Sequence, residues 1–271
     1  VKRALRAACL ACAVALPAGA ARAEDESDAV LFSRANEALS RGAYDDAIDR
    51  FELLADRGFS HPDASYDRAI AYVRRAESNG ARPGDLGRAA AALSETLELR
   101  PDDADADVAL DRVRQEIVRR RARQGAKDIE PRPSLGWAIV GLAEEDTWAL
   151  LALFATVAAS LGLAVRFVTK ASAPRLAGLV AASVGGVVLV ITAAMAFLAR
   201  FERLHYEPAV VIVDEARLSD ENGAPITGQG SIVPEGGAVR VDERRGTRAH
   251  VEWGTLDGWL PLGQVRLLAR R

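Results

Sequence analysis

Apolar and charged positions along this chain fall into three regimes. Between residues 29 and 124 the apolar residues recur at helical spacing. In RGAYDDAIDRF, Ala47, Ile48, Phe51 and Leu54 share one helix face, which Gly42 opens. GDLGRAAAALSETLELRP repeats the scheme: Gly84 breaks, Ala89 stands where Ala47 did, Leu93 where Phe51 did, and Pro101 stops the helix. The helices upstream of each, LFSRANEALS and SYDRAIAYVRR, carry Ala35 and Ala69 in equivalent places. A closing helix follows, with Asp102 or Asp103 as its cap and Val108, Val113 and Ile117 as its apolar side. The second regime is continuous. Residues 148–165 carry no charge and at the helical rise span about 27 Å, enough for a bilayer core. Residues 176–199 are also apolar and span about 36 Å. Gly178, Ala182 and Gly186 recur every fourth position, a small-residue face suited to Ala155, Ala159 and Gly162. The third regime, 208–271, reads as short alternating strands: AVVIV, GAVRVDE, RAHVEW and DGWLPL, broken by Gly, Asp, Asn and Pro. Five or so strands in this length predict a small β barrel.

Charge orients these blocks. RFVTKASAPR, between the two apolar runs, holds Arg166, Lys170 and Arg175 and no acid, while Glu144, Glu145 and Asp146 precede the first run. Basic residues mark the cytoplasmic end of a span, so the pattern predicts a hairpin with both large blocks outside. The amino-terminal segment agrees. Lys2, Arg3 and Arg6, the apolar Leu10 to Leu16 and the site Ala21-Arg22-Ala23 read as a secretory signal over 1–23. An uncleaved anchor or a lipid site at Cys12 are the alternatives. Both cysteines, Cys9 and Cys12, lie in that signal, so the remaining chain offers no thiol. The net charge of −3 gives no basic excess for a nucleic-acid partner.

Catalytic patterns are missing. The chain has no HExxH, GxSxG, GxxxxGK[ST] or Cys-His pair. A calcium loop starting at Asp103 fails because Val108 and Arg114 occupy the positions that need Gly and Glu. A non-enzymatic protein without metal or cofactor is expected. His250 reads as structural or solvated, Tyr44, Tyr66 and Tyr72 as packing. Trp253 and Trp259 fit either an aromatic platform or the β core, with one of the two assigned to the core.

The paired helices resemble the tetratricopeptide repeat, with an insertion of about eight residues around SNGARPGD against a period of about 34. The carboxy-terminal block resembles a bacterial SH3-like domain in VVIVDEARLSD, the glycine-led hairpin VPEGGAVRVDERRGTRAHVEW and LDGWLPLGQVRLL. The order of these parts resembles the TPR protein of the Bacteroides-aerotolerance (Bat) operon, carried by GAYDDAIDRFELL, SYDRAIAY, ELRPDDADA, Trp148 and DGWLP. The resemblance implies a multidomain membrane protein: a signal peptide at 1–23, TPR-like repeats at 24–124, a linker and interfacial segment at 125–147, spans at 148–168 and 176–199, a cytoplasmic loop at 169–175 and an SH3-like domain at 208–271. It implies residence in the cytoplasmic membrane and a scaffold role beside membrane proteins with von Willebrand A domains and a MoxR-type ATPase. Binding of peptidoglycan or its peptides through the SH3-like domain is the alternative. By repeat register, Asn36, Ser40 and Arg74 fall on the concave, partner-facing side, although a merely solvated face fits the same pattern.

The charge pattern makes a topology prediction. In intact spheroplasts, Ser172→Cys is expected to resist an impermeant thiol reagent, and Ser231→Cys to react if that residue lies on the surface. The reverse pattern at exposed sites would overturn the orientation.

Overall fold

The computed structural model describes residues 27–125, 145–228 and 230–269. The predicted signal at 1–23 lies outside the described residues, as do most of the linker and interfacial segment. Five helices form the first block: α1 (Asp28–Ser40), α2 (Tyr44–Asp56), α3 (Pro62–Glu77), α4 (Asp85–Leu99) and α5 (Ala104–Arg123). They pack as successive antiparallel neighbours. Ala35, Ala47, Ala69, Ala89 and Leu93 are fully buried, and Phe51 meets Phe32 edge-on with ring centroids 6.2 Å apart. Small residues at the crossings let the helices approach, and the rings fill the space between. Asp103 caps α5 by accepting the Ala106 N–H at 3.0 Å. Val113 and Ile117 are buried, but Val108 is exposed: the buried stripe runs through Ala106, Leu110, Val113 and Ile117, one helix face over from the position read in the sequence.

The two apolar runs form α6 (Glu145–Val168) and α7 (Ser172–His205), an antiparallel hairpin joined by a three-residue connection, Thr169 to Ala171. Only 11% of each apolar window is buried, and Phe154, Leu161, Phe167 and Val190 lie open. A helix in the core of a water-soluble protein would be covered, so both helices are built for an apolar surrounding. Their contact is backbone-close. A Cβ at Gly162 would meet Ala182 N at 2.6 Å, and one at Gly178 would meet Gly162 O at 2.6 Å. Further along, Gly185 rather than Gly186 faces the partner, against Ala159; Gly186 has nothing within 4 Å. The predicted four-residue recurrence therefore slips by one residue, because the buried positions Gly178, Gly185 and Thr192 follow the seven-residue seam of two crossing helices.

The carboxy-terminal block holds seven strands: β1 (Glu207–Val211), β2 (Glu215–Arg217), β3 (Ile232–Pro234), β4 (Ala238–Arg245), β5 (Arg248–Trp253), β6 (Leu256–Pro261) and β7 (Val265–Leu267). Five make an antiparallel sheet in the order β6-β5-β4-β1-β7, and β2 pairs with β3. Ala209, Val211, Leu218, Val233, Val251 and Leu260 share a core with Trp253. Ser231 is buried beside this core, its Oγ donating to Gly228 O at 2.9 Å, so the exposed Thr227 is the proper site for the thiol-labelling test.

Strand β1 departs from simple alternation. Ala209 and Val211 face the β core, while Val210 is buried in the helical core with Ala90, Leu93 and their neighbours. Both faces are covered, which is why AVVIV is apolar without interruption. Helix α4 lies against this strand through glycine. A Cβ at Gly84, whose φ is +80°, would overlap the Ile212 carbonyl oxygen, and one at Gly87 would meet Val211 O at 2.9 Å. Gly84 therefore opens α4 and also admits the strand.

Ala47 is completely enclosed, so Ala47→Trp is expected to cost about 1–3 kcal/mol by overpacking. The measurement belongs on the full chain, since the helical block alone would expose the pocket that Val210 fills. An unchanged melting temperature would remove Ala47 from the helix contact.

Candidate functional site

The residues singled out in the sequence do not converge. Asn36 is half-buried and hydrogen-bonds Asp67 across α1 and α3. Burial raises the Asp67 carboxyl above its ordinary range, and the Asn36 bond opposes the rise. Ser40 is exposed and returns its hydroxyl to Glu37 O at 2.8 Å. Arg74 is exposed and pairs with Glu77 at 3.5 Å within its own helix. Each side chain is occupied locally.

Trp253 and Trp259 do not form an exposed platform; they are 5% and 6% exposed. Trp253 lies in the β core, its ring edge against Gly237. Trp259 points to the opposite side of β6 from Leu260, as strand alternation requires. There the Arg245 and Arg248 guanidinium groups cover it at 5.1 and 5.6 Å from the ring centroid, and His250 tilts against it at 5.1 Å. His250 lies between two acids, its Nδ1 2.7 Å from Asp242 and its Nε2 3.4 Å from Asp257. No group of three or more metal-ligating side chains occurs among the described residues.

The converging residues lie within the helical block and where it meets the β block. Arg75 of α3 spans to Asp45 of α2 at 2.7 Å and to Asp85 of α4 at 2.6 Å. Asp85 also accepts the Arg82 N–H at 2.8 Å, which suits a carboxylate at the positive end of α4. Arg68 and Glu95 form a second buried pair at 2.8 Å, with Ser65 donating to the other Glu95 oxygen at 2.8 Å. Tyr72 donates to Glu52 at 3.0 Å; burial first, then the Glu52 charge, raises its phenol above the usual range. Glu52 also takes Arg266 of β7 at 3.1 Å, tying the two blocks together.

These bonds hold the insertion around Asn79 in a defined shape. Its residues Arg82, Pro83 and Gly84 form one wall of a cleft of about 800 Å³. Ile117 and Arg121 of α5, Ile212 to Glu215 and Glu235 complete its lining. The volume is that of a binding site for a small molecule or a few residues of peptide. Of the features that build it, the sequence showed the insertion and Gly84 as a helix breaker; AVVIV was read as an alternating strand, and the approach of Gly87 depends on the docking of the two blocks.

Glu235 binds across the interface, accepting the Gly87 N–H at 2.7 Å. Burial raises its carboxyl above the ordinary glutamate range; the Gly87 bond and Arg120 oppose this, and Asp214 and Asp85 add to it. An acid with a raised folded-state pKa favours the folded state when protonated. Its contribution is greatest at low pH and declines from the ordinary glutamate value up to the raised one. Glu235→Gln keeps a carbonyl acceptor for Gly87 and removes the ionisation. It is expected to melt above wild type near neutral pH, with a flatter profile of Tm against pH across that window. Identical slopes would show that Glu235 does not titrate at the interface.

No protein-family model matches this chain, and no curated protein and no solved structure is detectably similar to it.

Proposed function

We propose that this chain is a non-enzymatic, membrane-anchored scaffold that holds partner proteins outside the cytoplasmic membrane. On this reading the helix pairs are tetratricopeptide repeats and the β block is an SH3-like barrel. Residues 24–147 and 200–271 face outward and the short 166–175 segment faces the cytoplasm. The observation that carries the reading is mechanical. Helix α7 runs without interruption from its bilayer-length apolar run to β1, with only Tyr206 between them, and Val210 of β1 is buried in the helical core. Arg240 pairs with Glu202 of α7 and lies over the Tyr206 ring at 4.7 Å. A body fixed this way to a membrane hairpin presents its surfaces at a constant height and orientation, which is useful for assembling other membrane proteins.

The expected partners are membrane proteins with von Willebrand A domains, linked through them to a MoxR-type ATPase. The segment facing the cytoplasm is too short to receive such an ATPase directly. Recognition of peptidoglycan through Trp253 and Trp259 is the weaker reading, since both rings are covered. The test is affinity capture of the full chain from detergent-solubilised native membranes, comparing wild type with Ser40→Ala/Arg74→Ala. Wild type is expected to bring down a von Willebrand A-domain protein. Loss from the variant at unchanged circular dichroism supports the concave face; equal recovery moves the contact elsewhere on the body. Capture of no such protein even after crosslinking overturns the partner assignment.

A further inference from the structure

The buried arginines of this fold are treated unequally. Arg68 and Arg75 reach carboxylates at 2.8 and 2.6 Å. Arg121, in the last turn of α5, is 8% exposed, and its Nε and Nη1 are both out of solvent without a hydrogen-bond partner. Glu215 stands 3.7 Å from Nη1, close enough for charge attraction but beyond hydrogen-bond range. Leaving charged donors buried and unbonded is costly, and in this fold it happens in the lining of the cleft.

We propose that the cleft is a carboxylate-binding site for a peptide segment of a partner protein, anchored by Arg121. A guanidinium and a carboxylate match in charge and planarity. Leu86, Ile117 and Ile212 give the adjoining residue an apolar wall. Asp214 and Glu215 are exposed at the rim, where they repel a phosphate dianion more strongly than a single carboxylate. That the carboxylate belongs to a peptide rests on the scaffold reading; the cation site itself does not.

The test uses full chain in detergent micelles and Gly-Ala-Leu-Val-Glu carrying an uncharged, carboxylate-free BODIPY label, followed by anisotropy. One arm keeps only the terminal carboxylate, with Gln replacing Glu. A second keeps only the Glu carboxylate, with the terminus amidated. A third has neither, and a fourth carries phosphoserine in place of Glu on an amidated chain. At least one single-carboxylate arm is expected to bind saturably, and which one does so distinguishes a chain terminus from a side chain as the source. The neutral arm is expected to be at least about tenfold weaker, as is the better arm with Arg121→Gln. Glu215→Gln removes the competing acid from an exposed position and is expected to tighten binding about threefold. The assignment is overturned if no arm saturates, if the neutral arm matches the charged ones, if the phosphoserine arm binds best, or if folded Arg121→Gln binds like wild type. Should Arg121→Gln fail to fold, Glu215→Gln decides, and unchanged or weaker binding counts against the site. Partner capture is scored separately. Peptide binding without capture overturns the partner assignment and leaves the cleft; capture without carboxylate binding overturns the cleft and leaves the partner assignment.

Discussion

The contact on which the rest of the molecule depends is backbone against backbone: the start of α4 against the end of β1. Gly84 and Gly87 place no side chain between them, and any Cβ there would run into Val211 or Ile212. Because the strand comes this close, Val210 can fill the helical core while its neighbours fill the β core. The Gly87 N–H meets a Glu235 carboxylate 148 positions away in sequence. Closing so long a loop carries an entropic cost, but the cost grows only slowly with length, and the antiparallel hairpin of α6 and α7 returns the chain to where it left. The helical block and the β block are thus two sequence regions with a shared interior.

The ion pairs in that interior have a different role from the apolar contacts. Desolvating Arg68 with Glu95, or Arg75 with Asp85, consumes most of what their attraction returns. What they supply is geometry. Arg75 links three helices through two carboxylates, and Asp85 then fixes the turn that follows α3. The cleft takes its shape from these constraints, and among the described arginines it is Arg121, in its lining, whose buried guanidinium leaves two nitrogens unbonded.

Much of this architecture was legible in the chain. Helical periodicity identified the five amino-terminal helices because a 3.6-residue stripe built on Ala47, Phe51, Ala89 and Leu93 has no other economical packing. The charge-free runs were clearer still. The seam between them was harder: spacing every fourth residue selects Gly186, whereas crossing helices bury Gly185. The β block was recognisable as strands, but which tryptophan was covered was not. Trp259 looks outward by alternation and is covered by Arg245 and Arg248, side chains from elsewhere in the sheet. The cleft was the least legible feature: Asn36 and Arg74 were chosen by repeat register, while the cleft arises from contacts between distant segments. A window along the chain contains no information on whether Arg121 will find a partner.

The continuity of α7 has an electrostatic consequence. Six residues separate the end of the apolar run at Ala199 from Tyr206, a rise of about 9 Å. That is comparable to the Debye length of about 8–10 Å in physiological salt. With this run of α7 placed in a bilayer, the lower edge of the β block would lie within the ionic atmosphere of the headgroups. Arg200, Arg203 and the Glu202–Arg240–Glu252 chain would sit in this layer, where the lipid's own charge would act on them. Changing the anionic lipid content would change the local potential at the joint between anchor and body without altering a residue of the protein.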